Sequence, residues 1–552
     1  MKNIPVICTT LLVEKSPQAL PLGVACVASA LKTAEIASTL VVFSAEDSEI
    51  KDKTPDEQGQ VIADRIIEKG SVTKEEIFVV CFSVYVWNRF ALTKAAKILK
   101  EKFPHLITIA GGPEVTANPK SFSDFSVAIS GEGEIAVLEL IQQVEKSEDI
   151  SSLPSIVYGT QSNPETLSSP YLDGTLDPSV YGGALWELAR GCPFKCSYCY
   201  ESKGEKKVVY FPLSRLEQEL RLFAEKEISQ VFVLDPTYNA DKTRAVEMLN
   251  LIQKITPDIF YHFECRAEFI DKPLAKAFAR NNCSLQIGLQ SAHEDVLAKV
   301  HRSFDKKKFI RNIGFLNDAG AVFGFDLIYG LPGDTLQGVK ESMDFALQLY
   351  PNHLELFRLS VLPGTDLFDR AKELQLEYLK EPPYHVTRTS GFTSQDLEKA
   401  EELATACNIF YSAGRSVSWF MSVVKCLKLK PVAFLTNFAQ WMKEFHKKDF
   451  ITNCMLPQVE IEKMQIAFVR LLLSQKRLEK MQFLVEDIIH INGAFARCSA
   501  EKESTVLSLH YNIDDLLSPY AQDLLYFAQN AKPRQGRYQI FFGKNGVDYK
   551  KA

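Results

Sequence analysis

The 552-residue chain is 46% hydrophobic and 24% charged, with a formal net charge of −6 and a pI near 6.0. This balance suits about two to four globular domains and excludes a generally basic nucleic-acid binder or membrane-surface protein. No apolar run reaches the length of a membrane span, since the greasiest stretch, 417–441, is interrupted by Lys425, Lys428, Lys430 and Pro431. The first residues do not read as a secretory leader, so a cytoplasmic protein with its 12 cysteines reduced is expected.

Residues 1–150 alternate short apolar runs (4–9, 39–43, 77–83, 106–110 and 126–129) with helix-like segments (22–32, 57–69, 91–102 and 135–144). Such alternation predicts a Rossmann-like parallel sheet covered on both faces, with ligands at the carboxyl ends of its strands. The loops there carry Pro21-Leu22-Gly23, Gly111-Gly112-Pro113 and Gly131-Glu132-Gly133-Glu134. Residues 151–184, rich in Ser, Pro, Gly and Thr, read as a linker with one small strand at 155–158.

Residues 185–380 again alternate, with strands expected at 185–189, 230–234, 259–264, 284–288, 322–329 and 354–361. Six βα units in one block predict a partial (β/α)6 TIM-like barrel. From about Ser394 the spacing becomes helical, so 381–552 reads as a mainly helical C-terminal domain with a possible strand at 538–542.

Just after the first strand of the second block stands Arg190-Gly191-Cys192-Pro193-Phe194-Lys195-Cys196-Ser197-Tyr198-Cys199. Three cysteines spaced C-x3-C-x2-C on one loop can each ligate one iron of a cubane, leaving the fourth iron open to a small molecule. A zinc site would want a fourth ligand, such as Cys265 or Cys283, and usually two C-x2-C knuckles.

The motif resembles that of the radical S-adenosylmethionine (SAM) superfamily, C-x3-C-x-aromatic-C. The resemblance implies a [4Fe–4S] cluster on Cys192, Cys196 and Cys199, with SAM chelated at the open iron. It further implies SAM contacts from Tyr198 and from the strand ends: Asp235 and Thr237 on the second, Glu264 and Arg266 on the third, Gln290 and Ser291 on the fourth, Asp326 on the fifth, Val361 and Leu362 on the sixth. The second strand end, Asp235-Pro236-Thr237-Tyr238-Asn239, departs from the family's Gly-Gly-Glu. By contrast, the fifth, Asp326-Leu327-Ile328-Tyr329-Gly330-Leu331-Pro332-Gly333-Asp334-Thr335, resembles the coproporphyrinogen-oxidase-like branch. Tyr238, Arg266 and Tyr329 are candidates for a direct catalytic part.

A Rossmann-like block ahead of such a barrel resembles the cobalamin-binding radical SAM class, and the helical tail resembles a bacterial subfamily of that class. The resemblance implies a corrin contacted by Leu22, Gly23, Ser83, Val84, Tyr85, Trp87, Asn88, Gly111, Gly112, Pro113, Glu114, Gly131, Glu132, Gly133 and Glu134. The Asp-x-His-x-x-Gly of other cobalamin proteins is absent, and the first histidine of the chain is His105, so Tyr85 or Trp87 would shield the lower corrin face. The implied activity is methyl transfer to an unactivated carbon of a small molecule or peptide, through a 5′-deoxyadenosyl radical and methylcobalamin, with a flavodoxin- or ferredoxin-type electron donor. Alternatives are cyclisation or rearrangement without methylation, a non-enzymatic cobalamin or redox sensor, and a tRNA methylthiotransferase. For the last, Cys8, Cys26 and Cys81 supply no clear second triad, because Cys26 lies among core-like residues.

Overall fold

The computed structural model describes residues 4–70, 77–146, 153–203, 208–446, 456–543 and 546–552. The 150/151 domain boundary lies outside them, as does 447–455 in the expected helical region. Six parallel strands form the N-terminal sheet: β1 (Val6–Leu12), β2 (Ser38–Ser44), β3 (Phe78–Ser83), β4 (Leu106–Gly111), β5 (Val127–Ser130) and β6 (Ile156–Tyr158). Their order is β2-β1-β3-β4-β5-β6, a doubly wound arrangement with its switch point between β1 and β3.

Helices cover both faces of this sheet because its strands are apolar on both sides. Helices α1 (Leu22–Thr33) and α5 (Glu134–Lys146) pack on one face, α2 (Pro55–Gly70) and α3 (Arg89–Lys102) on the other, while α4 (Pro113–Ala117) caps β4. The small strand expected at 155–158 forms at residues 156–158, which join this sheet. They satisfy the edge of β5, pairing Ala128 with Ile156 and Ser130 with Tyr158.

In the second block, β7 (Gly183–Trp186) is followed by a two-stranded ladder of β8 (Ala189–Arg190) and β9 (Val209–Tyr210). Strands β10 (Gln230–Val233), β11 (Phe260–Cys265), β12 (Cys283–Gln290), β13 (Val322–Tyr329) and β14 (His353–Arg358) then follow β7 in sequential parallel order. This sheet has unlike faces. Tyr261, Phe263, Leu285, Ile287, Phe323, Phe325 and Leu354 are buried, whereas His262, Glu264, Gln286, Asp326, His353 and Glu355 alternate with them and are exposed or half-buried. One apolar and one polar face, with strands in chain order, is the arrangement of a barrel wall whose inner face receives ligand.

The C-terminal region is mainly helical, including 394–407, 431–446, 458–475 and 482–501. Phe410 sits at its centre with Phe434, Phe438 and Phe420 in edge-on contact. The possible strand at 538–542 extends to Gly536–Gly543 and lies between two antiparallel neighbours, Thr505–Leu509 and Gly546–Lys551. No described helix is long and apolar enough to cross a membrane.

Candidate active site

The cysteine loop leaves β8 through Gly191, whose φ of +91° is a conformation glycine adopts without strain. It is then pinned at its centre. Ser197 N donates to Val300 O at 3.0 Å, Leu367 N donates to Ser197 O at 2.8 Å, and Cys199 N donates to Cys196 O at 3.0 Å. Cys196 is buried, and Cys192 and Cys199 are half-buried. Burial raises the Cys192 thiol, and pushes Cys199 up to about 11; in both, neighbouring Cys196 adds to the effect. Among the described residues no three His, Cys, Asp or Glu side chains meet at one point suited to a single ion. In a cubane each thiolate binds a different iron, so convergence on one point is not what that cluster asks of its ligands.

Around this loop stand groups whose hydrogen-bonding capacity is unspent among the described residues. Arg266 is buried with its guanidinium 3.8 Å from the centre of the Phe194 ring, and Nη2 donates to Glu268 at 2.9 Å, yet Nε has no partner among the described residues. Gln290 ends β12 at a φ of +66°, where the register with β13 shifts, and its Oε1 is buried without a partner among the described residues. A non-glycine residue in the left-handed region at a strand end is strained backbone, and such strain clusters at ligand sites. Ser197 Oγ is likewise buried and unpaired. Buried polar atoms left unmatched point to an absent partner, so the residues present fit a polar ligand beside the cysteine loop.

The remaining expected SAM contacts divide. Thr237 lies within hydrogen-bond reach of the Cys192 thiol, while Tyr198 meets Arg302. Asp235 spends Oδ1 on the backbone N–H groups of Leu188 and Ala189, at 2.8 and 3.0 Å; burial pushes its carboxyl up to about 7. It therefore shapes the approach to the cysteine loop from within. Ser291 is fully buried, contacting Ser342 and receiving His293 N. Val361 N donates to Tyr384 O, and Leu362 O accepts from Thr365.

On the polar face, Asp326 accepts from Gln286 Nε2, and Gln286 Oε1 meets His353 Nε2. Burial, followed by Asp326 and Glu355, raises Glu264 to about 8, and burial raises Asp326 to about 7. Two catalytic candidates are corrected by packing. Tyr238 is buried behind the sheet, its OH donating to Ala245 O at 2.8 Å and its ring 4.3 Å from Phe263. Tyr329 is also buried in the apolar core. Neither hydroxyl faces the polar side of the sheet.

Between the carboxyl edge of the N-terminal sheet and the cysteine loop lies a cavity of about 1560 Å³. Common small-molecule pockets are roughly 300–1,000 Å³, so this one suits a larger guest. Leu22, Gly23, Ser83, Tyr85, Gly111, Gly112, Pro113, Gly131, Glu132, Gly133 and Glu134 line one side, and Glu187, Arg190, Gly191, Tyr200, Glu201 and Pro236 the other. The glycines fit this role because Gly111 faces open space, and Gly112 and Gly131, at φ of +102° and +108°, carry backbone where a Cβ would collide with a carbonyl oxygen.

Four expected corrin contacts are corrected: Val84, Trp87, Asn88 and Glu114 do not line the cavity. Asn88 is fully buried, its Nδ2 donating to Leu11 O at 3.0 Å and its Oδ1 accepting from Tyr85 N at 2.8 Å. Trp87 is 51% exposed and stacks on Tyr85 at 4.6 Å, its Nε1 donating to Leu11 O. Glu114 is held by Arg89 and Tyr384. Val84 is fully buried, its N–H donating to Gly111 O. Sequence reasoning missed Arg302, Arg190, Glu187, Tyr200 and Glu201 as site residues. The last four flank the cysteines and could have been found by adjacency. Arg302 follows a helix with no motif of its own, and only folding brings it to Tyr198.

Residues 186–346 match the model of the Radical SAM superfamily, so the chain contains a radical SAM domain. It is 27% identical over 345 residues to the cobalamin-dependent radical SAM methyltransferase TokK of Streptomyces tokunonensis, covering 56% of this chain and 49% of that protein. It is 34% identical over 186 residues to a 2-(S-pantetheinyl)-carbapenam-3-carboxylate methyltransferase of Streptantibioticus cattleyicolor, covering 29% and 27%. The chain thus spans about half or less of the length of these two curated relatives. In fold it is similar to the cobalamin-dependent S-adenosylmethionine radical enzyme OxsB, with a TM-score of 0.57 at 12% identity over 87% of this chain and 80% of that one. That likeness supports the architecture: an N-terminal Rossmann-like region, a central parallel sheet and a mainly helical C-terminal region.

Proposed function

We propose that the protein is a cobalamin-dependent radical SAM methyltransferase acting on an unactivated carbon of a small molecule or peptide. One observation carries this reading: the cavity joins the glycine-rich loops of the N-terminal sheet to the cysteine loop, so a large guest on the first would face the second. When bound, a [4Fe–4S] cluster, SAM and cobalamin supply radical generation and methyl transfer. The chain's own residues bind, orient and enclose them.

Cys192, Cys196 and Cys199 hold the cluster. Gln290 Oε1 and Arg266 Nε offer the unspent polar groups for SAM, and Arg302, beside Tyr198, supplies a cation for its carboxylate. Glu264 and Asp326 carry raised carboxyls on the polar face, where substrate would enter. Gly23, Gly111, Gly112 and Gly133 let backbone approach a corrin closely, and Tyr85, stacked on Trp87, presents an aromatic wall with no histidine ligand. A flavodoxin- or ferredoxin-type protein would supply electrons. Both named relatives are methyltransferases, which favours methylation over cyclisation or rearrangement.

Anaerobic reconstitution with iron, sulfide and cobalamin tests the reading. The expected product holds one cubane and one corrin per chain, and alanine at any of the three cysteines abolishes the cluster's absorbance while leaving cobalamin bound. A cluster without retained cobalamin would sink the methyltransferase proposal, and product mass then separates methylation from rearrangement.

A further inference from the structure

We propose, resting on the two-cofactor reading above, that Arg190 is a positioning residue that fixes the separation between the cobalamin and cluster sites. It stands two residues before Cys192 in the sequence, and its guanidinium reaches across the cavity wall to the other sheet. Nη1 donates to Glu132 at 3.0 Å, Nη2 to Glu134 at 2.8 Å and to Glu187 at 2.9 Å. The side chain is only 14% exposed, so this contact is shielded from solvent and from salt. Glu187 belongs to its own segment, whereas Glu132 lies in the turn after β5 and Glu134 opens α5.

Each side of this joint is itself rigid. Glu132 Oε2 also accepts Ser162 N at 2.8 Å. Gly131 and Gly159 are packed so closely that a Cβ on either would lie 2.4 or 2.0 Å from a backbone oxygen of the facing segment. Across the joint, Ser197 pins the cysteine loop to Val300 and Leu367. One guanidinium therefore couples two stiff bodies. A forked, planar cation can serve three carboxylates at once in fixed directions; a lysine ammonium is a point charge on a flexible stem and cannot hold the same geometry. Reactions between positioned groups are sensitive to such geometry, since a misplacement of about 1 Å can cost about 10²-fold in rate.

The test uses the full chain reconstituted with cluster and cobalamin, as wild type, Arg190→Lys, Arg190→Ala and Glu134→Gln. Pulsed EPR on the reduced cluster and cob(II)alamin reads their separation, and hydrogen exchange of 129–134 and 187–192 reads the joint in the unloaded chain. The expected result is a narrow separation in wild type. It shifts by about 1 Å or more, or broadens as much, in Arg190→Ala and Glu134→Gln, and less in Arg190→Lys, with exchange at both segments rising about tenfold or more in Arg190→Ala. Glu134→Gln keeps the shape of the side chain and reports on the joint even if Arg190→Ala folds poorly. A role confined to stability would lower the thermal midpoint yet leave the separation unchanged, and that result would overturn the inference. Failure of the wild type to bind cobalamin would instead overturn the functional reading on which it rests.

Discussion

Adjacent glycines at the cavity should respond to alanine in opposite ways. Gly112 has φ +102° and ψ 178°, a region essentially reserved for glycine, and leaving it strained costs about 1–3 kcal/mol. Its added Cβ would also lie 2.7 Å from Val84 O. That oxygen cannot move freely, because it accepts Glu114 N and its residue's own N–H donates to Gly111 O. Strain plus overpacking gives a loss of about 2–4 kcal/mol for Gly112→Ala. Gly111 has open space around its Cβ position, so Gly111→Ala should change stability by less than about 0.5 kcal/mol. It does, however, project a methyl group into the cavity and should weaken binding of the proposed cobalamin about tenfold or more, since displaced backbone contact with a rigid ligand is not recovered. Because a chain of several domains need not unfold in one step, the assay is local: hydrogen exchange of 78–84 for opening free energy, and equilibrium titration for cobalamin. Equal destabilisation by the two substitutions would refute the steric argument, and unchanged affinity in Gly111→Ala would refute the placement of the ligand.

Tyr384→Phe removes a hydroxyl that donates to buried Glu114 and accepts from Arg89 Nη1 at 2.8 Å. The expected cost is about 1–3 kcal/mol, read as a lower thermal midpoint and faster exchange in 113–117. No change there would mean that water replaces the hydroxyl without loss. The pH dependence of stability has a defined sign at Glu264. Its folded carboxyl is raised to about 8 from an ordinary value of about 4.3, so its stabilising share is complete below the unfolded value and is lost as pH rises through about 8. The thermal midpoint of the unloaded chain should fall between pH 5 and pH 9 (an approximate window set by those two values), and Glu264→Gln should flatten that fall. An identical profile in the variant would place the charge elsewhere.

The radical SAM domain of the chain was legible in its sequence because its signal is local. Cys192, Cys196 and Cys199 sit on one short loop, and their spacing is a property of the chain rather than of its folding. Strand and helix positions were legible for a similar reason, since alternation of apolar runs with 3.6-residue periodicity is written into consecutive residues. Glycine loops at 111–113 and 131–134 were visible too, and both line the cavity.

What folding alone decided are contacts between distant residues and the direction in which a side chain points. The small strand expected at 155–158 forms at 156–158, but only the open edge of β5 gives it a partner and a sheet to join. Tyr238 and Tyr329 stand beside site residues in sequence, yet helix packing turns their hydroxyls into the core. Arg302 meets Tyr198 only because the fourth βα unit folds back on the cysteine loop. Likewise the clasp of Arg190 on Glu132 and Glu134 joins two sheets. The sequence determined which chemistry the chain can hold, because ligand spacing is local. The tertiary structure decided which residues share the cavity and how far apart its two walls stand, because those distances arise from packing one sheet against another.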